Sequence, residues 1–202
     1  MPAILCDIGN VLATFDFSIA ARRLSSASPF PADTILQQLE DLKLPFENGD
    51  LTDSEFLAAA VERLQFAGTP EDFAAIWCGI FSANDAMRHT LQPLRGRIPL
   101  YLLSNTSGLH RDWLFRAFDV FQLFDDGVYS YSAHCSKPDA AIFQHAIDQL
   151  QLDPAHTFFI DDLPANIATA EQLGFVTHTY DFRQHPALHH HLTEWLSREA
   201  TV

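Results

Sequence analysis

The sequence predicts an α/β protein in which a parallel sheet flanked by helices is interrupted, after its first strand, by an inserted all-helical cap. Three observations carry that expectation. Strand and helix patterns alternate from about residue 96 onward, residues 15–86 show helical periodicity without a convincing strand, and four apolar runs each end in a polar cluster. Alternation of this kind is the pattern of parallel strands covered by crossover helices.

The apolar run Ala3-Ile4-Leu5-Cys6 reads as the first strand, closed by Asp7. Within the cap, Thr52-x-x-Glu55 forms a capping box ahead of Phe56, Leu57, Ala60, Val61 and Leu64, and Thr69 caps a helix whose first turn holds Pro70. Ser25-Ser26-Ala27-Ser28-Pro29 and Leu44-Pro45-Phe46-Glu47-Asn48-Gly49 read as loops between cap helices. The aromatics of this region, among them Phe15, Phe17, Phe56, Phe73, Trp77 and Phe81, are expected in its core, with one or two facing a pocket. Residues 98–103 read as a strand buried on both faces, 109–118 as a helix and 127–131 as a short strand. Pro138 is expected at the first helical position before Ile142, Ala146, Ile147 and Leu150. Thr157-Phe158-Phe159-Ile160 is a further strand, 165–173 a helix closed by Gly174, 175–180 a strand, and a terminal helix starts near Pro186. The expected domains are therefore a core of 1–14 and 87–202 and a helical cap of 15–86 lying over the sheet's carboxyl edge.

Composition narrows the function classes. The chain has 202 residues, 48% hydrophobic and 19% charged, which suits a folded enzyme or binding protein rather than a disordered tail. No apolar run approaches the ~20 residues that span a bilayer, and Asp7 interrupts an opening that lacks basic residues, so no secretory signal is expected. Cys6, Cys78 and Cys135 are an odd count without metal-binding spacing, which points to the cytoplasm. A net charge of -14 argues against nucleic acid or an anionic membrane as partner. His185, His189, His190 and His191 include helical i, i+4 spacing, but no acid accompanies them, and they read as surface residues.

Asp7-Ile8-Gly9-Asn10-Val11-Leu12, Leu103-Ser104-Asn105, Ser136-Lys137-Pro138 and Phe159-Ile160-Asp161-Asp162 contain the polar clusters. Ligands of open parallel sheets sit outside the carboxyl ends of strands. A carboxylate, a hydroxyl, an ammonium and an acidic pair would meet there, a set suited to phosphoryl transfer.

In this order, Asp-x-Gly-Asn-Val, Ser-Asn, Lys-Pro and Asp-Asp-x-x-x-Asn resemble the haloacid dehalogenase-like hydrolase superfamily over almost the whole chain. Ser104-Asn105-Thr106 and Glu47-Asn48-Gly49-Asp50 extend the similarity to the branch containing alpha-D-glucose-1-phosphatase and the phosphatase domain of soluble epoxide hydrolases. The resemblance implies a Rossmann-like core and Mg²⁺-dependent hydrolysis of a small phosphate ester such as a sugar phosphate. It implies that Asp7 attacks phosphorus and, with the Gly9 carbonyl and Asp162, binds the metal. Asp161 and Asn166 would support that site, Ser104 and Asn105 would hold the phosphate oxygens, and Lys137 would hold Asp7 and the phosphoryl group.

One position departs from the family pattern. Many members carry a second Asp, the general acid and base, where this chain has Gly9. Asp16 and His110 are candidates for proton transfer or substrate contact; otherwise Asp16 is a helix cap and His110 a surface helix residue. Two other functions compete: a 2-haloacid dehalogenase, which needs no metal and is disfavoured by the acidic Asp161-Asp162 pair, and a catalytically weak binding or regulatory protein.

Overall fold

The computed structural model describes residues 2–200. In chain order the principal elements are β1 (Ala3–Cys6), β2 (Ala13–Phe15), α1 (Phe17–Ser25), α2 (Ala32–Ile35), α3 (Glu40–Glu47), α4 (Asp53–Arg63), α5 (Pro70–Cys78), β3 (Phe81–Ala83) and α6 (Asp85–Leu91). They continue with β4 (Leu100–Ser104), α7 (Gly108–Ala117), β5 (Asp126–Tyr129), α8 (Ser130–Ala133), α9 (Ala140–Leu150), β6 (Thr157–Asp161), α10 (Pro164–Gln172), β7 (Val176–Thr179) and α11 (His185–Glu199).

Five strands form one parallel sheet in the order β5-β4-β1-β6-β7. Parallel strands need crossovers, so helices cover both faces and the central strands are apolar throughout. On one face Ile4, Cys6, Leu102 and Phe158 pack with Leu188 and Trp195 of α11. On the other, Leu5, Leu103 and Phe159 pack with Ile142 and Phe143 of α9 and Ile167 of α10. Chain order diverges between β1 and β6, which places the expected ligand crevice at their carboxyl ends.

Helices α1 to α5 share a separate hydrophobic cluster in which Leu24, Phe46, Phe56, Phe73 and Trp77 are buried. Both capping boxes form, Thr52 with Glu55 and Thr69 with Asp72. Three expectations change. Two strands bound this helical segment: β2 and β3 pair antiparallel, Phe15 opposite Phe81, and bring its ends together. Leu44-Pro45-Phe46-Glu47 is not loop, because α3 continues through Pro45 to Glu47 and its following turn closes with Asp50 N–H donating to the Pro45 carbonyl at 2.8 Å. Pro138 precedes α9 rather than starting it; Asp139 is the cap, accepting from Ala141 N–H at 2.9 Å.

Candidate active site

Asp7 follows β1 and Asp161 closes the neighbouring β6, so both carboxylates emerge at the diverging edge of the sheet. Lys137 reaches between them from the segment before α9. Its Nζ lies 2.9 Å from Asp7 Oδ1, 2.6 Å from Asp161 Oδ2 and 2.7 Å from the Leu103 carbonyl. An ammonium has three donors, and here all three are engaged. A direct bond from Lys137 to a phosphoryl group therefore requires sharing the donor now held by Asp7.

Asp161 is fully buried and its oxygens are occupied as well. Leu163 N–H and Asn166 Nδ2 donate to Oδ1, and Lys137 and Asn166 donate to Oδ2. Its carboxylate anchors the lysine instead of facing the crevice. Asp162 is half-buried and accepts from Asn10 Nδ2 at 3.0 Å. Asn10 is a contributor that the motif analysis did not single out; its left-handed backbone, φ 53°, turns the chain after Gly9. Oxygens of Asp7, Asp161 and Asp162 all lie within 4.8 Å of one another, a donor set for a hard cation.

Burial pushes the Asp7 carboxyl up to about 6, against the opposing pull of Lys137. Burial would lower the Lys137 ammonium, yet Asp7 and Asp161 outweigh it and hold the group above its ordinary value. Burial also raises Asp162, while its bond from Asn10 opposes the shift.

The crevice has two joined compartments. One of about 210 Å³ is lined by Asp7, Asn10, Lys137, Asp162, Leu163 and Lys43, among others. The other, about 70 Å³, is lined by Ile8, Phe17, Phe81, Thr106, His110 and Leu114. Gly9, Phe15, Glu47, Ser104 and Asn105 border both. Ser104 thus lies where expected. Asn105 lies there too, but its amide pairs with the Lys137 backbone, Nδ2 to the carbonyl and N–H to Oδ1, each at 2.8 Å. It pins the lysine segment and keeps one amide hydrogen for a ligand.

A Cβ at Gly9 would stand 3.2 Å from the Phe15 ring, so the aromatic side chain closes over that position. Of the proton-transfer candidates, Asp16 is exposed, caps α1 by accepting from Ser18 N–H at 2.8 Å, and lines neither compartment. His110 is buried, not on the surface, because it shares the inward face of α7 with Leu114. Its Nε2 is buried without a hydrogen-bond partner. Burial lowers the ring to about 4, a bond to the Trp77 backbone opposing and Lys43 reinforcing the shift.

A neutral buried histidine has a pH signature. Its folded pKa, about 4, lies below the ordinary 6.5, so in that window the unfolded chain binds more protons. Its stabilising contribution is complete above 6.5 and is lost as pH falls toward 4. Asp7, raised to about 6, works in the opposite sense, so a variant is needed to isolate the effect. The stability difference between wild type and His110→Phe is expected to shift by up to about 3 kcal/mol in favour of the variant on acidification. Denaturant unfolding near neutrality and at acid pH measures it; a difference that stays constant contradicts a neutral ring.

The parallel α/β sheet thus gathers three carboxylates at the ends of its central strands and an ammonium from the segment before α9, an arrangement suited to a hard cation. Residues 1–174 match the model of the haloacid dehalogenase-like hydrolases, and the chain belongs to that family. It is 28% identical over 183 residues to D-ribitol-5-phosphate phosphatase of Bacteroides thetaiotaomicron, covering 86% of this chain and 89% of the relative. Bifunctional epoxide hydrolase 2 of Mus musculus is 27% identical over 85% of this chain but only 35% of its own length. Among solved structures, a family enzyme from Bacteroides thetaiotaomicron in complex with magnesium and inorganic phosphate superposes with a TM-score of 0.80 at 27% identity, covering 90% of this chain and 94% of that one. The protein is thus an enzyme of the hydrolase type, with phosphatases among its relatives.

Proposed function

We propose that this protein is a magnesium-dependent phosphatase acting on a small phosphorylated metabolite, a sugar or polyol phosphate, through a phosphoryl group carried on Asp7. The single observation that carries it is the buried Asp7–Lys137–Asp161 chain, with spacings of 2.9 and 2.6 Å, set beside Asp162. Such a chain holds one carboxylate oriented and leaves the opening above it free for a tetrahedral anion. Fixed geometry of this kind is the larger share of catalysis in phosphoryl transfer.

In this scheme an oxygen of Asp7 attacks phosphorus in line, and the bond to the leaving oxygen breaks. Ser104 and the free amide hydrogen of Asn105 bind phosphoryl oxygens. Lys137 keeps Asp7 aimed and offsets its charge. The residues present fit magnesium: Asp7, the Gly9 carbonyl and Asp162 would hold it, whereas the bonded oxygens of Asp161 leave that residue in support. When bound, the ion would neutralise charge shared by nucleophile and phosphate.

Residues 15–86 would act as the cap over this edge, with opening and closing admitting substrate and excluding water. The small second compartment and its Phe15, Phe17 and Phe81 rings favour a compact leaving group with C–H faces that stack on aromatics. The net charge of -14 favours no nucleic acid or membrane partner, and no helix among the described residues is long and apolar enough to cross a membrane. The free Cys6, Cys78 and Cys135 suit the cytoplasm.

Hydrolysis of p-nitrophenyl phosphate is expected with added Mg²⁺ and is expected to disappear on chelation. The activated leaving group makes this probe independent of a proton donor. Turnover of a 2-haloacid without metal would favour attack on carbon, and no turnover of any ester would favour a binding protein.

A further inference from the structure

We propose that Glu47, from the end of α3, is the proton donor to the leaving oxygen and then the base for the attacking water, filling the role left open at Gly9. This rests on the phosphatase function proposed above. The need is chemical: an alkoxide leaving from phosphorus must be protonated, and a positioned acid supplies roughly 10²–10⁴-fold.

Placement selects Glu47. It borders both compartments together with Gly9, Ser104 and Asn105, so it stands where the phosphoryl end of the crevice meets the leaving-group end. Its backbone is tied to the segment after β5, where Ser130 Oγ donates to the Glu47 carbonyl and Ser136 Oγ donates to Asn48 Oδ1. Gly49 makes that approach possible. Its φ is +75°, and a Cβ there would lie 2.0 Å from the Tyr131 carbonyl oxygen. Two residues before that contact, Glu47 is therefore seated at a set height over the core.

The other titratable groups around the crevice serve less well. Asp16 lies outside it, His110 is neutral and enclosed by aromatic rings, and Lys137 has all its donors engaged. Asp7 and Asp162 are assigned to phosphorus and metal. Lys43 and Glu40, one turn or more back on α3, are exposed. Burial raises the Glu47 carboxyl, Lys43 opposing and Glu40 reinforcing the shift, which is the direction an acid needs.

Protons and bonds balance over the cycle. As the Asp7–phosphorus bond forms and the ester bond breaks, the Glu47 proton passes to the leaving oxygen and releases a neutral alcohol. Glu47 carboxylate then takes a proton from water as the water oxygen attacks phosphorus. The bond to Asp7 breaks, inorganic phosphate leaves, and Glu47 is protonated again.

The test compares two leaving groups in wild type, Glu47→Gln and Glu47→Asp, with Mg²⁺ present. On D-ribitol 5-phosphate, Glu47→Gln is expected to lose about 10²-fold or more in kcat/KM, which reports transfer to Asp7, while kcat/KM for p-nitrophenyl phosphate changes less than about threefold; kcat, which includes the hydrolysis both esters share, should fall for both. Wild-type kcat/KM on the alkyl ester should fall as pH rises through the Glu47 pKa, and Glu47→Gln should lack that limb. Glu47→Asp should recover part of the loss. Equal losses of kcat/KM on both esters, or none on the alkyl ester, would overturn the assignment. Wild type inert toward both esters would instead remove the phosphatase function itself.

Discussion

Asp7→Asn is expected to reduce phosphatase turnover by at least about 10⁴-fold while the protein remains folded. Asparagine keeps the shape of the side chain but offers a poor nucleophile, so the loss should appear in kcat for alkyl and aryl esters alike. This distinguishes Asp7 from a proton-transfer residue, whose loss in kcat/KM depends on the leaving group. The fold should survive because Lys137 retains Asp161 and the Leu103 carbonyl as acceptors, at 2.6 and 2.7 Å. Steady-state kinetics alongside a thermal melt would check both halves. A variant with wild-type turnover would exclude attack by Asp7.

Lys137→Met is expected to be the most destabilising single change at the site. Its side chain is 1% exposed, and its removal leaves Asp7 and Asp161 buried with no cation between them. Breaking a buried pair by deleting one partner costs about 3–5 kcal/mol, or roughly 6–20 °C in melting temperature for a chain of this size. Methionine fills much of the volume, so the effect is one of charge and not of a cavity. The Asp7 carboxyl should retain a proton to higher pH in the variant, because Lys137 is what opposes its rise. The destabilisation should therefore be smaller below pH 6 than near pH 8, as Asp7 already carries a proton on the acid side of its value of about 6. Denaturant melts at the two pH values would show it; equal loss at both would contradict the charge account.

Much of the core was legible because its signals are local. Strands such as Leu100–Ser104 and Thr157–Asp161 are apolar runs buried on both faces, and each ends in the polar residues that line or brace the crevice. The capping boxes at Thr52 and Thr69 lie within four residues and needed no tertiary information. The β2–β3 ribbon was not legible, since three residues per strand give too few alternations and the partners sit 68 residues apart, as Thr14 and Ser82 do. Pro45 reads as a breaker, but the helix end around it is held by packing of Phe46 against Phe56, stacked at 3.9 Å.

The site shows the same division. The strand alternation that puts Asp161 on the side of Phe159 and Asp162 on the side of Ile160 could have separated anchor from crevice residue. The i, i+4 pairing of His110 with Leu114 could have turned the histidine inward. Glu47 could not have been found that way, because its place depends on contacts with a core segment 83 residues distant.

The central claim is that Asp7 itself carries the phosphoryl group. Acid quenching during turnover of a phosphate ester with Mg²⁺, followed by mass spectrometry of the peptide containing Asp7, tests it directly. A phosphoryl adduct on Asp7 that appears with substrate, requires Mg²⁺ and is absent from Asp7→Asn is the expected result. Sustained turnover with that peptide unmodified, or with the adduct on another residue, would contradict it.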